Sequence, residues 1–138
     1  MNPLDIFTEQ ALAFMGNEAS EEHYRRLAQG ELCGTRCNHC KSLTFPPRSH
    51  CPECFADGIT WESLGDKATL YAFTTQTRAL RFRAPCVVGI VEIPSVGLVV
   101  SPIGGALEDL WIGQPLTLEI LSIDDGKRRV HGFRPLLA

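Results

Sequence analysis

Apolar and polar positions divide the chain into a helical front, a cysteine-bearing middle and a strand-rich back. In the front, Leu4, Phe7, Ala11 and Phe14 recur at helical spacing, and Ile6, Leu12 and Met15 widen the stripe. Gly16-Asn17 reads as the stop of this helix. Ser20 reads as the cap of a second short helix running through Tyr24 and Leu27 to Gly30. In the back, residues 69–75 have strand composition. Residues 86–93 and 97–103 are dense apolar runs joined by the turn Pro94-Ser95-Val96-Gly97. Residues 115–123 alternate, with Leu116, Leu118 and Ile120 on one face. The turn Asp124-Asp125-Gly126-Lys127 then leads into a last strand over 128–134.

The middle is organised by sulfur. Cys37-Asn38-His39-Cys40 and Cys51-Pro52-Glu53-Cys54 are two C-x-x-C turns separated by residues 41–50. Each such turn points two sulfurs at one ion, and two of them facing each other supply the four thiolates of a tetrahedral zinc site. The spacing predicts a structural, rubredoxin-like zinc ribbon, with Cys37, Cys40, Cys51 and Cys54 as ligands. A four-thiolate site has no open position for a substrate, so the ion's role is to fold a segment too small to hold itself. The same ligands can hold a rubredoxin-like iron, but nothing in the sequence points to a redox partner. His39 and His50 can in principle replace a cysteine, yet the set is complete without them. Cys33 is either a competing ligand or a small packed side chain, and Cys86, at a strand start, reads as core. Phe45 is placed to cover the metal site, the Pro46-Pro47 step stiffens the inter-knuckle loop, and Trp61 is expected at the junction with the following segment. His23 and His131 stand isolated.

Five predicted strands with a short helix-like insert over 106–111, after the third, match the Greek-key barrel known as the OB-fold. The expected fold is therefore mainly β: an N-terminal helical arm over 1–30, the ribbon over 31–62 and a five-stranded OB-fold barrel over 63–138. The first helix is unusually apolar. It either packs on its own domain or docks on another protein, and the small ribbon offers little core to receive it, which favours docking.

Composition narrows the function. The 138 residues are 44% apolar and 21% charged, as in a soluble globular protein, and no apolar run is long enough to span a membrane. The N-terminus lacks the basic and apolar regions of a secretory signal, so a cytoplasmic location is expected and paired cysteines favour metal over disulfides. A net charge of −3 argues against a protein that lives on nucleic acid. There is no nucleophile elbow, no paired carboxylates and no glycine-rich phosphate loop, so the chain is expected to carry no catalytic residues of its own.

The two C-x-x-C units, the stretch Phe45-Pro46-Pro47-Arg48, Trp61 and the strand entry over 65–75, in this order behind a helical arm, carry a resemblance. The chain resembles the family of zinc-ribbon and OB-fold proteins associated with acyl-CoA enzymes, thiolases in particular. The resemblance implies a non-catalytic accessory subunit of a thiolase-type acyl-CoA acyltransferase complex. Such a subunit stabilises a thiolase-like catalytic partner in a hetero-oligomer and helps to bind or gate acyl-CoA. One departure stands out: a glycine often follows the second knuckle in this family, whereas here Phe55-Ala56 follows, with Gly58 beyond. A looser turn is expected, or a Phe55 that faces a partner.

Arg78, Arg81 and Arg83, with Phe82 among them, make a basic cluster between the first two barrel strands. In OB-folds this loop borders the usual ligand face. Guanidinium groups suit phosphates, so under the resemblance these four residues are candidate coenzyme A contacts. They can equally meet the partner subunit or remain solvated. Arg128 and Arg129 on the last hairpin can extend the same patch. The alternative function is a nucleic-acid-binding zinc-ribbon and OB module, with the arginines on backbone phosphates and Phe82 stacked on a base.

Overall fold

The computed structural model describes residues 18–77, 86–123 and 128–136. The predicted first helix, the connection bearing Arg78, Arg81, Phe82 and Arg83, and the turn over 124–127 lie outside these described residues.

The second predicted helix is α1, Glu18–Ala28. Its buried stripe is Ala19 and Leu27, with His23 midway between them on the same face. Ser20 lies inside this helix and is not its cap, because the helix already includes Glu18 and Ala19. The C-terminus is as expected. Gly30 takes the left-handed conformation at φ +85°, its N–H donates to Leu27 O at 2.9 Å, and Glu31 N–H donates to Arg26 O at 3.0 Å.

Three short antiparallel strands follow: β1 (Cys33–Cys37), β2 (Leu43–Thr44) and β3 (Ile59–Ser63), in the order β2-β1-β3. The central strand needs Gly34, since a Cβ there would stand 2.7 Å from the carbonyl oxygen of Thr44. The Thr35 hydroxyl, buried, accepts a hydrogen bond from Arg48 N–H at 3.1 Å and ties the inter-knuckle loop to β1.

The back of the chain forms β4 (Lys67–Gln76), β5 (Cys86–Ile93), β6 (Gly97–Pro102), β7 (Pro115–Ile123) and β8 (Arg128–Pro135). Their order is β6-β5-β4-β7-β8, all neighbours antiparallel. A parallel bridge between Ile103, just beyond β6, and Phe133 of β8 links the two edges and curls the sheet towards closure. The predicted insert after the third strand is a 3-10 turn, Leu107–Asp109. This is the five-stranded arrangement of an OB-fold.

Among the described residues, one apolar cluster joins the helix, the ribbon and the barrel. Leu70, Val91, Leu116 and Phe133 fill the barrel, and Leu27 of α1, Leu32 and Leu64 belong to the same buried cluster. Leu43 and Phe45 of the ribbon pack against it. Each fully buried leucine contributes about 2 kcal/mol, so α1 and the ribbon are part of the barrel's stability rather than appendages to it. No helix among the described residues is long and apolar enough to cross a membrane.

Candidate metal centre

The two knuckles are built alike. In the first, Lys41 N–H donates to Cys37 O at 3.0 Å, and Cys37 N–H donates to Ser42 O at 2.9 Å. In the second, Phe55 N–H donates to Cys51 O and Cys51 N–H to Ala56 O, both at 2.9 Å. The residue after each second cysteine turns the chain with a positive φ, +69° at Lys41 and +65° at Phe55. The expected looser turn after Cys54 is therefore not found. Phe55 adopts the left-handed conformation that a glycine would take, and its ring is 79% exposed. An L-residue in that region is disfavoured by about 1 kcal/mol. Since the ring buries almost nothing within the chain, Phe55→Gly is expected to stabilise the protein by up to about 1 kcal/mol, less the greater chain entropy of glycine. Thermal melting should show an unchanged or slightly raised midpoint, and a fall of several degrees would contradict this account.

The turns bring Cys37, Cys40, Cys51 and Cys54 together, with all four sulfurs within 4.8 Å of one another. Cys37 and Cys54 sulfurs are 3.6 Å apart, and those of Cys40 and Cys51 3.5 Å. Zinc–sulfur bonds of about 2.3 Å put tetrahedral ligand atoms about 3.8 Å apart, so the group is the right size for such an ion. The electrostatics agree. Backbone N–H groups of Cys40 and His39, each 3.4 Å from the Cys37 sulfur, hold that thiol below its ordinary range. The Ser42 hydroxyl and N–H lower Cys40 to about 6. Cys54 goes the other way: although an N–H from Ala56 lowers it, burial and the three crowding sulfurs push it up to about 12. Four thiolates at this spacing repel one another, and a bound dication removes the conflict.

The remaining polar groups near the ribbon stay out of the set. His39 and His50 are exposed, and His50 Nδ1 sits 3.1 Å from Ser49 Oγ. Cys33 is fully buried with its sulfur 3.1 Å from Glu31 Oε1, and burial, first, raises its thiol to about 11. It packs and does not compete for the ion. Arg36 clamps Glu62 across β1 and β3 with contacts of 2.9 and 2.7 Å.

Two expectations need correction, and Phe45 serves the shared core. Its ring finds apolar cover at the shared core, edge-on to His23 at 6.0 Å and to His131 at 5.7 Å between centroids. His23 and His131 are consequently not isolated, since α1, the ribbon loop and β8 deliver them to one junction. His131 Nε2–H donates to Val100 O at 3.0 Å, whereas His23 Nδ1 is buried without a partner. Two patterns in the chain carried this signal: His23 falls on the stripe of Ala19 and Leu27, and His131 shares strand parity with Phe133. Cys86 is half-buried at the barrel rim rather than core, because it opens β5 opposite Gln76 where the sheet ends. Trp61 meets the helix before the ribbon, with the Arg26 guanidinium 5.2 Å from its ring centroid.

Gln76 and Cys86 form the end pair of the β4–β5 ladder. The outer face of β4, β5 and β6 holds a shallow, mainly apolar depression of about 220 Å³ lined by Ala72, Thr74, Val88, Ile90 and Val100. Arg129 on the last hairpin is held by a hydrogen bond to Ser122 of β7.

A four-cysteine ribbon packed on a five-stranded curled sheet defines the class as a zinc-ribbon and OB-fold protein. The rubredoxin-like zinc-ribbon profile of ChsH2 matches residues 25–60, and the C-terminal OB-fold profile of ChsH2 matches residues 61–121. The chain belongs to this ChsH2 family. A solved structure of an Ltp2-ChsH2(DUF35) aldolase has a TM-score of 0.73 and 26% identity, covering 86% of this chain and 95% of that one. A DUF35-family protein of unknown function from Sulfolobus solfataricus shares the fold, with a TM-score of 0.62 at 18% identity over 99% of this chain and all of that one. The probable enoyl-CoA hydratase alpha subunit of Thermomonospora curvata is 31% identical over 112 residues, 78% of this chain. The match covers 34% of that relative, so this chain spans about a third of its length.

Proposed function

We propose that the chain is a non-catalytic accessory subunit of a thiolase-type acyl-CoA acyltransferase complex. It stabilises the catalytic partner and helps to bind or gate acyl-CoA. The observation that carries this reading is the family match running through both the ribbon and the barrel. The solved relative whose name couples ChsH2 to a second protein, and the relative named as an enoyl-CoA hydratase subunit, both support it. A sulfur site with all four positions taken by protein suits a scaffold, not a catalyst.

In this reading, Cys37, Cys40, Cys51 and Cys54 hold a structural Zn²⁺ that fixes the ribbon. The labour is divided in three: within the arm over 1–30 the predicted first helix docks on the partner while α1 packs on the barrel, 31–62 brace the junction, and 63–138 present the barrel to the acyl-CoA. Arg78, Arg81, Phe82 and Arg83 meet the phosphates and adenine of coenzyme A, and the apolar depression on β4, β5 and β6 suits the rest of the ligand. The location is cytoplasmic.

Co-production with a thiolase-type subunit from the same genome tests the proposal. One species is expected in size-exclusion chromatography, with acyl-CoA turnover that needs both chains. Separate elution, or full activity of the partner alone, overturns it. Within an active complex, Arg81→Ala/Arg83→Ala should raise the KM for acyl-CoA and leave assembly intact.

A further inference from the structure

Several large apolar side chains outside the shared core stand on the 3-10 turn and the strand beside it. Leu107 opens the turn, Trp111 and Ile112 follow it, and Tyr71 sits at a bulge in β4 between Leu70 and Ala72. Trp111 is 55% exposed, Ile112 60% and Tyr71 55%. The turn is fastened to the strand at this bulge. Gly113 N–H donates to Leu70 O at 2.7 Å, and Leu70 N–H donates to Gln114 O at 2.9 Å.

The presentation is rigid. Trp111 N–H donates to the Gln114 side-chain oxygen at 3.1 Å, and the Gln114 amide donates back to Asp109 O at 3.4 Å. Gly113 closes the turn at φ +92°, with the Trp111 ring lying over it. A fixed turn that holds an indole and an isoleucine in water loses little conformational entropy when they are covered. The two half-exposed aromatics alone offer on the order of 200 Å² of surface. With Ile112 and Leu107 the patch enters the range that marks an interaction site. It is smaller than the roughly 800 Å² that each side of a stable interface buries, so it suits the anchor of a larger contact. Its rim is acidic: Glu108 and Asp109 are exposed, and none of the ion pairs among the described residues engages either one.

We infer that the turn bearing Trp111 and Ile112, flanked by Leu107 and Tyr71, is an anchor that docks into an apolar cleft with a lysine- or arginine-lined rim on the catalytic subunit. This inference rests on the proposed function and adds to it the surface used and the chemistry of the surface it meets. Trp111 and Ile112 supply the desolvated centre, and Glu108 and Asp109 select a basic rim and repel an acidic one. The attachment is separate in sequence from the arm over residues 1–30.

The test uses the full chain and the thiolase-type subunit from the same genome, with affinity measured by calorimetry at two salt concentrations. Trp111→Ala/Ile112→Ala is expected to weaken binding at least 30-fold. Glu108→Lys/Asp109→Lys should weaken it about 10-fold and reduce its salt dependence. Leu98→Ala, exposed on β6, should bind as the unaltered chain does. Circular dichroism melts should match for all variants, since the changed side chains are exposed. If the unaltered chain binds and both multiple variants bind equally well, the anchor is wrong while the proposed function stands. If the unaltered chain does not bind, the proposed function falls and the inference falls with it. If the alanine variant instead abolishes self-association seen by light scattering, the patch faces a second copy of this chain and the inference is overturned.

Discussion

Stripping the metal from the purified chain will unfold residues 33–63. The ribbon sheet has twelve strand residues in three strands, and its own buried side chains are chiefly Cys33, Thr35, Cys37 and Cys51. A sheet of that size has too little apolar burial to offset the entropy of ordering it, at about 1–2 kcal/mol per residue. The bound ion fills the gap, since structural zinc contributes roughly 10–16 kcal/mol to such folds. A strong chelator, or Cys51→Ala, should therefore release amide-exchange protection throughout β1 to β3. The barrel should also soften, because Leu32, Leu43 and Phe45 would leave its core cluster. Elemental analysis should give zinc, whereas a red iron–thiolate absorption would reassign the ion. Ribbon amides that stay protected in metal-free protein would refute the structural role of the site.

Below about pH 6.5 the protein will lose stability because of His23. Burial, and secondarily the neighbouring His131, lower its pKa from 6.5 to about 4. Folded His23 is thus neutral where the unfolded chain begins to bind a proton. The sign follows: its contribution is fully present above pH 6.5 and is lost progressively as the pH falls towards 4. A shift of that size corresponds to roughly 3 kcal/mol at acid pH. Among the described residues, none of the groups facing it is an acid. Phe45 and Tyr24 are its ring neighbours, and His131, also lowered by burial though raised by the Val100 carbonyl, adds a second reluctant base. His23→Leu removes the orphaned nitrogen and the titration together. The variant's melting temperature should exceed that of the unaltered chain at pH 5, by a margin that shrinks towards pH 7.5. Equal pH slopes for the two proteins, or a His23 pKa near 6.5 by NMR, would remove this account.

Local chemistry made much of the architecture legible. The alternation over 115–123 coincides with β7, because a half-covered strand must repeat every second residue, and the dense run over 86–93 coincides with β5, which is apolar on both faces. The sulfur cluster was legible from two spacings, because a C-x-x-C turn sets its own geometry. The junction of His23, Phe45 and His131 was not, since its members are 22 and 86 residues apart in sequence and meet only when three elements pack. The left-handed Phe55 went unread for another reason. The knuckle's hydrogen bonds dictate the backbone whatever the side chain, so the residue type misleads. Cys86 misled through its neighbours, because an apolar run marks a strand without marking where the sheet ends.

The shared core sets a limit on dissection. An excised fragment beginning at residue 63 would expose the barrel surfaces that Leu27, Leu32 and Phe45 normally cover. Such a truncation would be prone to clumping and a misleading reagent for ligand screens. A cut ahead of Glu18 keeps every core member found among the described residues. Anyone wishing to test what the segment ahead of Glu18 contributes should shorten the chain there, or alter single side chains, rather than divide it between its two sheets.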